Sequence, residues 1–408
     1  MKFTFKHTVL ACYIGYIASA TVNNLASLLF IVFQDDFGLT TVELATVITF
    51  NFFTQIFVDL IGAKYVDKFG YRAFAVTASV FLIVGLLSLG VLPTVMSNTF
   101  VALCISSVIY AIGSGLEEVI ISPIIEALPG EQKESAMSIL HSFYCWGHVG
   151  MVLISTAYLV LFPAKWFLLP IFWAIVPLCS LFLFSVVPIR MLNEESTEHS
   201  MPILKLFKTK VFWLFMILMV CGGAAEQVMA QWSSLFAESE LGVSKLVGNL
   251  LGPCFFALMM AITRTFYGKK ADKLPLLKAL AICSCITVVG YLIACLVPIP
   301  YIALIGCGIV GIGVALYWPG VLSVSAKALP AGGASMFAIL ALFGDLGCSV
   351  GPQLTAIVTE AIGDNLKYGL LASLIFPIVI GVSVIIYIKR KKTAEKAESV
   401  HKEFSYEQ

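Results

Sequence analysis

Apolar runs of about 20 residues recur from one end of the chain to the other, and each is long enough to cross the hydrocarbon core of a bilayer as an α-helix. Twelve can be placed, near 8–33, 42–65, 73–95, 100–125, 135–161, 166–188, 211–235, 246–267, 275–297, 300–326, 333–359 and 367–388. In hydrocarbon a backbone must satisfy its own hydrogen bonds, which leaves helices or closed barrels, and none of these runs has the alternating period of a barrel strand. The sequence therefore predicts an all-α membrane protein with twelve transmembrane helices. Composition agrees: 60% of the residues are hydrophobic and 12% charged, against roughly a quarter charged in a soluble domain. A soluble enzyme is excluded, and a net charge of +1 offers no basic field for nucleic acid.

The first span imitates a signal peptide, because Lys2 and Lys6 precede an apolar stretch reaching the small residues Ala18-Ser19-Ala20. Its apolar character continues through Leu28-Leu29-Phe30-Ile31-Val32, too long for a signal core and suited to a retained first helix. With the N-terminus in the cytoplasm, every Lys and Arg except Lys165, Lys245 and Lys367 falls on the inner side, including the run Lys389-Arg390-Lys391-Lys392. The outer loops hold Asp35, Asp36, Glu238, Glu240 and Asp364 instead. By the positive-inside rule this is a multi-pass protein of the cell membrane with both termini cytoplasmic.

The one long cytoplasmic loop carries Asn193-Glu194-Glu195-Ser196-Thr197-Glu198-His199 and divides the spans six and six. The expected organisation is a six-helix half over 1–188, a linker over 189–210, a second half over 211–388 and a polar tail over 389–408. That tail has no apolar period and is expected to be disordered. The halves echo each other: Gly113-x-Gly115 leads to Ala127-Leu128-Pro129 in span 4, and Gly311-x-Gly313 leads to Ala328-Leu329-Pro330 in span 10. Gly62 to Asp67-Lys68 after span 2 is matched by Gly268-x-x-x-Asp272-Lys273 after span 8. Repeated halves about a central axis, with a site between them near the bilayer midplane, are the architecture of secondary transporters.

The loop Asp67-Lys68-Phe69-Gly70-Tyr71-Arg72 resembles the signature of the major facilitator superfamily, Gly-x-x-x-Asp-(Arg/Lys)-x-Gly-x-(Arg/Lys). Ala63 stands where the first Gly belongs, and in the second copy Leu274-Pro275 lies where the second Gly would be. The resemblance implies two pseudosymmetric six-helix halves working by alternating access, with Asp67, Lys68, Arg72 and Asp272 in the latch that closes the cytoplasmic side.

Ionisable groups inside spans are costly and so mark function; here they are Asp59, Glu117, Glu118, His141, His148, Glu226, Arg264 and Asp345. Helical spacing sorts them. Ser114, Glu118 and Ser122 form one stripe on span 4, while Glu117 points about 100° away. Asn51, Gln55 and Asp59 make a stripe on span 2, and Asp345, Ser349 and Gln353 one on span 11. His141, Tyr144 and His148 share a face of span 5, and Gln227 and Gln231 share one on span 7, flanked by Glu226 and Trp232. Span 1 adds Asn23, Asn24 and Ser27, and span 10 adds Trp318.

Amides, carboxylates and aromatic rings converging on one cavity suit a polyhydroxylated solute. The expected substrate-binding set is Asn23, Asn24, Asn51, Gln55, His141, Tyr144, Gln227, Gln231, Trp232 and Trp318; the competing reading is that Asn, Gln and Ser merely link helices. Asp59 and Arg264 each sit eight residues before their half's loop aspartate. They are expected at matching depth near the cytoplasmic mouth, as a gate pair or as separate local salt bridges.

Leu116-Glu117-Glu118-x-x-x-Ser122-Pro123, then His141-Ser142-Phe143-x-x-x-Gly147, is similar to the span 4 and span 5 signature of the fucose:proton symporter family. Asn23-Asn24-Leu25 and Phe33-Gln34 agree in span 1, and Glu226 with Trp232 resembles span 7 of related sugar carriers. The resemblance implies that Glu118 is the proton-site glutamate. Where the family has an aspartate shortly after the Asn pair, this chain has Ser27, so Glu118, Glu226 and Asp345 become rival coupling sites.

The expected function is proton-coupled uptake of a sugar or similar polar solute by a monomer needing no cofactor. Sodium coupling and an efflux antiporter of the same superfamily are the alternatives. Gly306-x-Gly308-x-x-Gly311 matches a dinucleotide fingerprint in form, but it lies inside an apolar span with no strand before it, and is read as helix packing. Neither the eleven Cys nor the pair His141 and His148 has metal-ligand spacing.

Overall fold

The computed structural model describes residues 3–128, 133–190, 201, 203–270 and 275–406. Among them twelve helices are long and apolar enough to cross a membrane. Spans 1 to 6 are Phe5–Phe37, Thr41–Gly62, Tyr71–Val95, Thr99–Glu126, Ile139–Leu161 and Leu168–Val186. Spans 7 to 12 are Lys210–Ser239, Lys245–Tyr267, Leu276–Leu296, Pro300–Ala328, Met336–Ala361 and Leu366–Thr393. An even number of crossings returns the chain to the face it started from, called here the terminal face; the opposite one is the far face.

Local chemistry starts and stops these helices. Thr40 and Glu43 form a capping box at the start of span 2: Glu43 N donates to Thr40 Oγ1 at 3.1 Å and Thr40 N to Glu43 Oε2 at 2.8 Å. Span 4 opens on Asn98, whose Oδ1 accepts from Val101 N at 3.0 Å. The helix of span 2 runs on to Phe69 and ends at Gly70, whose φ of 83° turns the chain straight into span 3.

In lipid, helices associate through close packing of small residues. Span 3 lies along span 4, span 9 along span 10, and span 7 along span 11. A Cβ at Gly85 would sit 2.6 Å from Tyr110 N, and one at Gly290 2.7 Å from Val310 N. At Gly347 it would collide with the Val220 carbonyl. Gly306, Gly308 and Gly311, the apparent dinucleotide motif, lie against span 9, the Phe255 ring and the Phe256 backbone respectively. Large apolar side chains such as Phe57, Phe182, Ile282 and Val382 stay exposed, as a lipid-facing surface requires.

The halves meet where span 2 packs on span 11 and span 5 on span 8, two contacts that the pseudo-twofold exchanges. Several spans are broken near this centre. Span 1 tightens into a 3₁₀ turn over Ala26–Leu29, span 8 widens into a π-helical turn over Leu250–Cys254 around Pro253, and span 10 is interrupted between Val314 and Tyr317. Such breaks release carbonyl groups from i→i+4 pairing.

Near the far face the halves are tied by Val42 N donating to Glu360 Oε1 at 2.7 Å and by Thr49 Oγ1 donating to Gln353 Oε1 at 3.1 Å. Phe30 packs on Trp232 behind them, with centroids 5.3 Å apart. Toward the terminal face, His141 is exposed and Glu118, Tyr16 and Asn23 are partly exposed although they sit on inward faces of the bundle. The molecule is closed at the far face and open toward the terminal one.

One expectation is not met. The polar tail continues the helix of span 12, from Ile375 to Tyr406. The segment is rich in Lys, Glu and Ala and lacks Pro and Gly, and it extends an existing helix, which spares it the cost of nucleation. Of the expected linker, 191–200 lies outside the described residues; the part that follows forms a short helix, Ile203–Lys208.

Candidate functional site

Asn23 is the hub of a polar centre built from five spans. Its Oδ1 accepts from Asn51 Nδ2 at 3.0 Å and from Gln55 Nε2 at 3.1 Å, its Nδ2 reaches Ser114 Oγ at 3.3 Å, and its backbone carbonyl accepts from Gln231 Nε2 at 2.9 Å. Gln55 also donates to Asn51 Oδ1 at 3.0 Å and Gln231 to Gln227 Oε1 at 2.9 Å. Asn24 donates to the Tyr144 hydroxyl at 3.3 Å. The stripes on spans 1, 2, 4, 5 and 7 thus face one another, and Gln231 carries the network across the boundary between halves. The Ser27 hydroxyl turns back to the Asn24 carbonyl at 2.7 Å and does not enter the network.

Not every residue of the expected substrate set faces open space. His141 is exposed and stands edge-on to Tyr16 at 5.4 Å, and Tyr16 lies 3.4 Å from Ser122. Trp318 is partly exposed and covers Gly344. Trp232, by contrast, is fully buried, with its indole N–H donating to the Pro352 carbonyl at 3.3 Å; in this conformation it belongs to the far-face seal.

The acids separate into three environments. Glu117 is fully buried within the first half and accepts from Ser19 Oγ at 2.8 Å and Ser180 Oγ at 3.4 Å. Glu226 pairs with Arg264 at 2.8 Å, the two side chains being 7% and 10% exposed. Arg264 is further held by the Ala315 carbonyl at 3.1 Å, released by the break in span 10, and by Cys145 Sγ of span 5 at 3.3 Å. Asp59, Glu118 and Asp345 come together, each offering a carboxylate oxygen within 4.8 Å of the others. Asp59 and Arg264, at equivalent sequence positions, therefore do not face each other. Each reaches the fifth helix of the opposite half, Asp59 toward Asp345 and Arg264 toward Cys145.

The loop residues are placed as follows. Arg72 donates to the carbonyl groups of Phe184, Ser185 and Val187, each at 2.7 Å, capping the end of span 6. Lys68 is exposed, its Nζ 5.5 Å from the Phe69 ring centroid. The Asp67 side chain and the whole of Asp272 lie outside the described residues.

Tyr16, Ser19 and Cys145 enter the site without having been singled out in the sequence. For the first two a signal existed, since Tyr16, Ser19 and Asn23 fall at i, i+3 and i+7 on one face. Cys145 carried none, because nothing in a thiol among apolar neighbours marks it as the neighbour of an arginine from another span.

Twelve helices in two six-helix halves, meeting at a buried polar centre that opens to one face, define a solute carrier. The chain belongs to the Major Facilitator Superfamily, whose family model matches residues 12–352 and, in a second overlapping match, 254–405. It is a multi-pass membrane transporter of that superfamily.

Solved structures similar in fold include a bacterial homologue of the human lysosomal transporter Spinster, with a TM-score of 0.78 at 15% identity, covering 94% of this chain and 97% of the other. A D-xylose-proton symporter aligns with a TM-score of 0.75 at 14% identity over 93% and 96% of the two chains. The E. coli fucose:proton symporter aligns with 0.67 at 15% identity over 93% and 98%. No curated protein matches the sequence significantly.

Proposed function

We propose that this protein is a secondary active transporter for a sugar or a similar polar solute, driven by protons and working by alternating access. The observation that carries the reading is the amide centre at Asn23, continuous with an acid cluster. Asn23, Asn51, Gln55, Gln231 and Tyr144 provide paired donors and acceptors that a solute's hydroxyl groups can exchange with. His141 and Trp318, on the open side, supply ring faces. The acids Asp59, Glu118 and Asp345 lie toward the terminal face from that centre and belong to both halves, so their charge state acts on the contact between span 2 and span 11.

Carboxylates this close favour shared or neutral protonation states, which is what coupling to a proton requires. Glu226, neutralised by Arg264, serves positioning in this reading, and the acid cluster carries the proton. Two of the solved structures alike in fold are those of proton symporters for fucose and D-xylose, in line with this assignment. The distribution of Lys and Arg supports a cell-membrane location with both termini in the cytoplasm, which makes the open terminal face the inward one. Both halves of the polar centre come from one chain, so a monomer suffices.

Uptake of a labelled sugar panel into proteoliposomes, with and without an inward proton gradient, tests the reading. Saturable, gradient-stimulated accumulation of at least one sugar is expected. Export of lipophilic cations against an imposed proton gradient, with no sugar taken up, would replace it by the antiporter.

A further inference from the structure

Three carboxylates converge in this molecule from separate spans and from both halves. Asp59 and Glu118 belong to the first half, Asp345 to the second, and one oxygen of each lies within 4.8 Å of the others. Acid clusters are common, and this one stands out by what surrounds it. Asp345 is 3% exposed and its Oδ2 is buried without a hydrogen-bond partner among the described residues; so is Oδ1 of Asp59. The cationic side chain found deep in the bundle, Arg264, is engaged by Glu226 at 2.8 Å. Buried acceptor atoms without a donor from another residue type are satisfied by a proton held between the acids or by a cation from outside.

We infer that Asp59, Glu118 and Asp345 form a binding site for a calcium-sized divalent cation, reached from the terminal face past the partly exposed Glu118. The donor set consists of carboxylate oxygens, which suit hard cations. Bond lengths of about 2.3–2.6 Å to Ca²⁺ allow ligand oxygens to stand up to roughly 4.6–5.2 Å apart on opposite sides of the ion. Three oxygens within 4.8 Å of one another come within reach of one such ion through small rotations of the carboxylates. Mg²⁺, at about 2.0–2.1 Å, needs a tighter shell and gives up its water reluctantly. With one proton shared among the three acids two negative charges remain, which a divalent ion cancels and a monovalent ion does not. A cation here bridges span 11 to spans 2 and 4, and so holds the two halves together in the conformation closed at the far face. It also competes with protons for the same oxygens.

The inference concerns the acid cluster assigned above to proton coupling, but cation binding can be read without any transport. The test is isothermal titration of the purified full-length protein in detergent with Ca²⁺ and separately with Mg²⁺, at pH 8 and pH 6. One Ca²⁺ per chain is expected, bound at least tenfold tighter than Mg²⁺ and weaker at pH 6. Asp345→Asn and Asp59→Asn should each weaken Ca²⁺ binding at least tenfold. Glu118→Gln, at a partly exposed position, gives a third variant should either of those fail to fold, as judged by gel filtration and circular dichroism. No saturable Ca²⁺ binding to the wild type overturns the inference, as does binding that the folded variants leave unchanged. Proton-driven sugar uptake in a protein that binds no Ca²⁺ would retain the transporter reading and overturn this one; Ca²⁺ binding without sugar uptake would do the reverse.

Discussion

At the scale of single residues, the intramembrane charges are divided by what each can pair with. Arg264 and Glu226 neutralise each other at 2.8 Å, so removing one leaves the other uncompensated, at a cost of about 3–5 kcal/mol for a buried pair. Arg264→Ala should therefore lower the thermal midpoint in detergent sharply, and Arg264→Ala with Glu226→Gln should recover most of the loss; a double variant no more stable than the single would refute the pairing as a stability element. Glu118 is different, because it faces two other acids, Asp59 and Asp345. Glu118→Gln should abolish accumulation driven by a proton gradient while solute exchange across vesicles at equal pH persists, and the comparison of the two assays separates coupling from binding. Asn23 makes its contacts through both side chain and carbonyl. Asn23→Ala should raise the half-saturating solute concentration and also lower the melting midpoint, since it leaves the buried amides of Asn51 and Gln55 without their shared acceptor.

At the scale of elements, glycine and breaks in winding decide how closely helices approach. Span 11 lays Gly344, Gly347 and Gly351 against span 7, and a side chain at Gly347 would strike the Val220 carbonyl. Because nothing but packing and hydrogen bonding holds helices together in lipid, Gly347→Leu should separate spans 7 and 11 and reduce the yield of folded protein in gel filtration, whereas Gly150→Leu, where a Cβ meets nothing within 4 Å, should not. The breaks are used chemically: the carbonyl of Ala315 released in span 10 binds Arg264, and the carbonyl of Asn23 just before the 3₁₀ turn binds Gln231. Arg72 shows a motif residue acting at this scale, since it closes three carbonyl groups at the end of span 6.

At the scale of the whole molecule, alternating access requires the far-face contacts to part. Thr49 and Gln353 meet across the halves at 3.1 Å. In Thr49→Cys/Gln353→Cys, with the exposed Cys179 and Cys285 replaced by Ser, oxidation should lock the far face and stop transport, and dithiothreitol should restore it. Undiminished transport by the oxidised, cross-linked protein would mean that these spans do not separate.

The sequence by itself determined the number of spans, their helical character, their division into halves and the polar face of each helix. These are local properties: hydrocarbon thickness dictates run length, backbone hydrogen bonding dictates helix, and the 3.6-residue period places Asn51, Gln55 and Asp59 on one stripe. It also singled out nearly every ionisable group of the site. Which groups become partners was decided only by the tertiary structure. Asp59 and Arg264 look like a pair on paper, yet the pseudo-twofold sends each to the opposite half, one to Asp345 and the other to Cys145, and leaves Glu226 to neutralise the arginine. Helix periodicity fixes direction around an axis and says nothing of which axis lies opposite. That depends on how six-helix halves dock, a matter of small-residue packing and broken helices spread over the whole chain. The same docking sets the conformational state, for nothing in the sequence marks which face is shut.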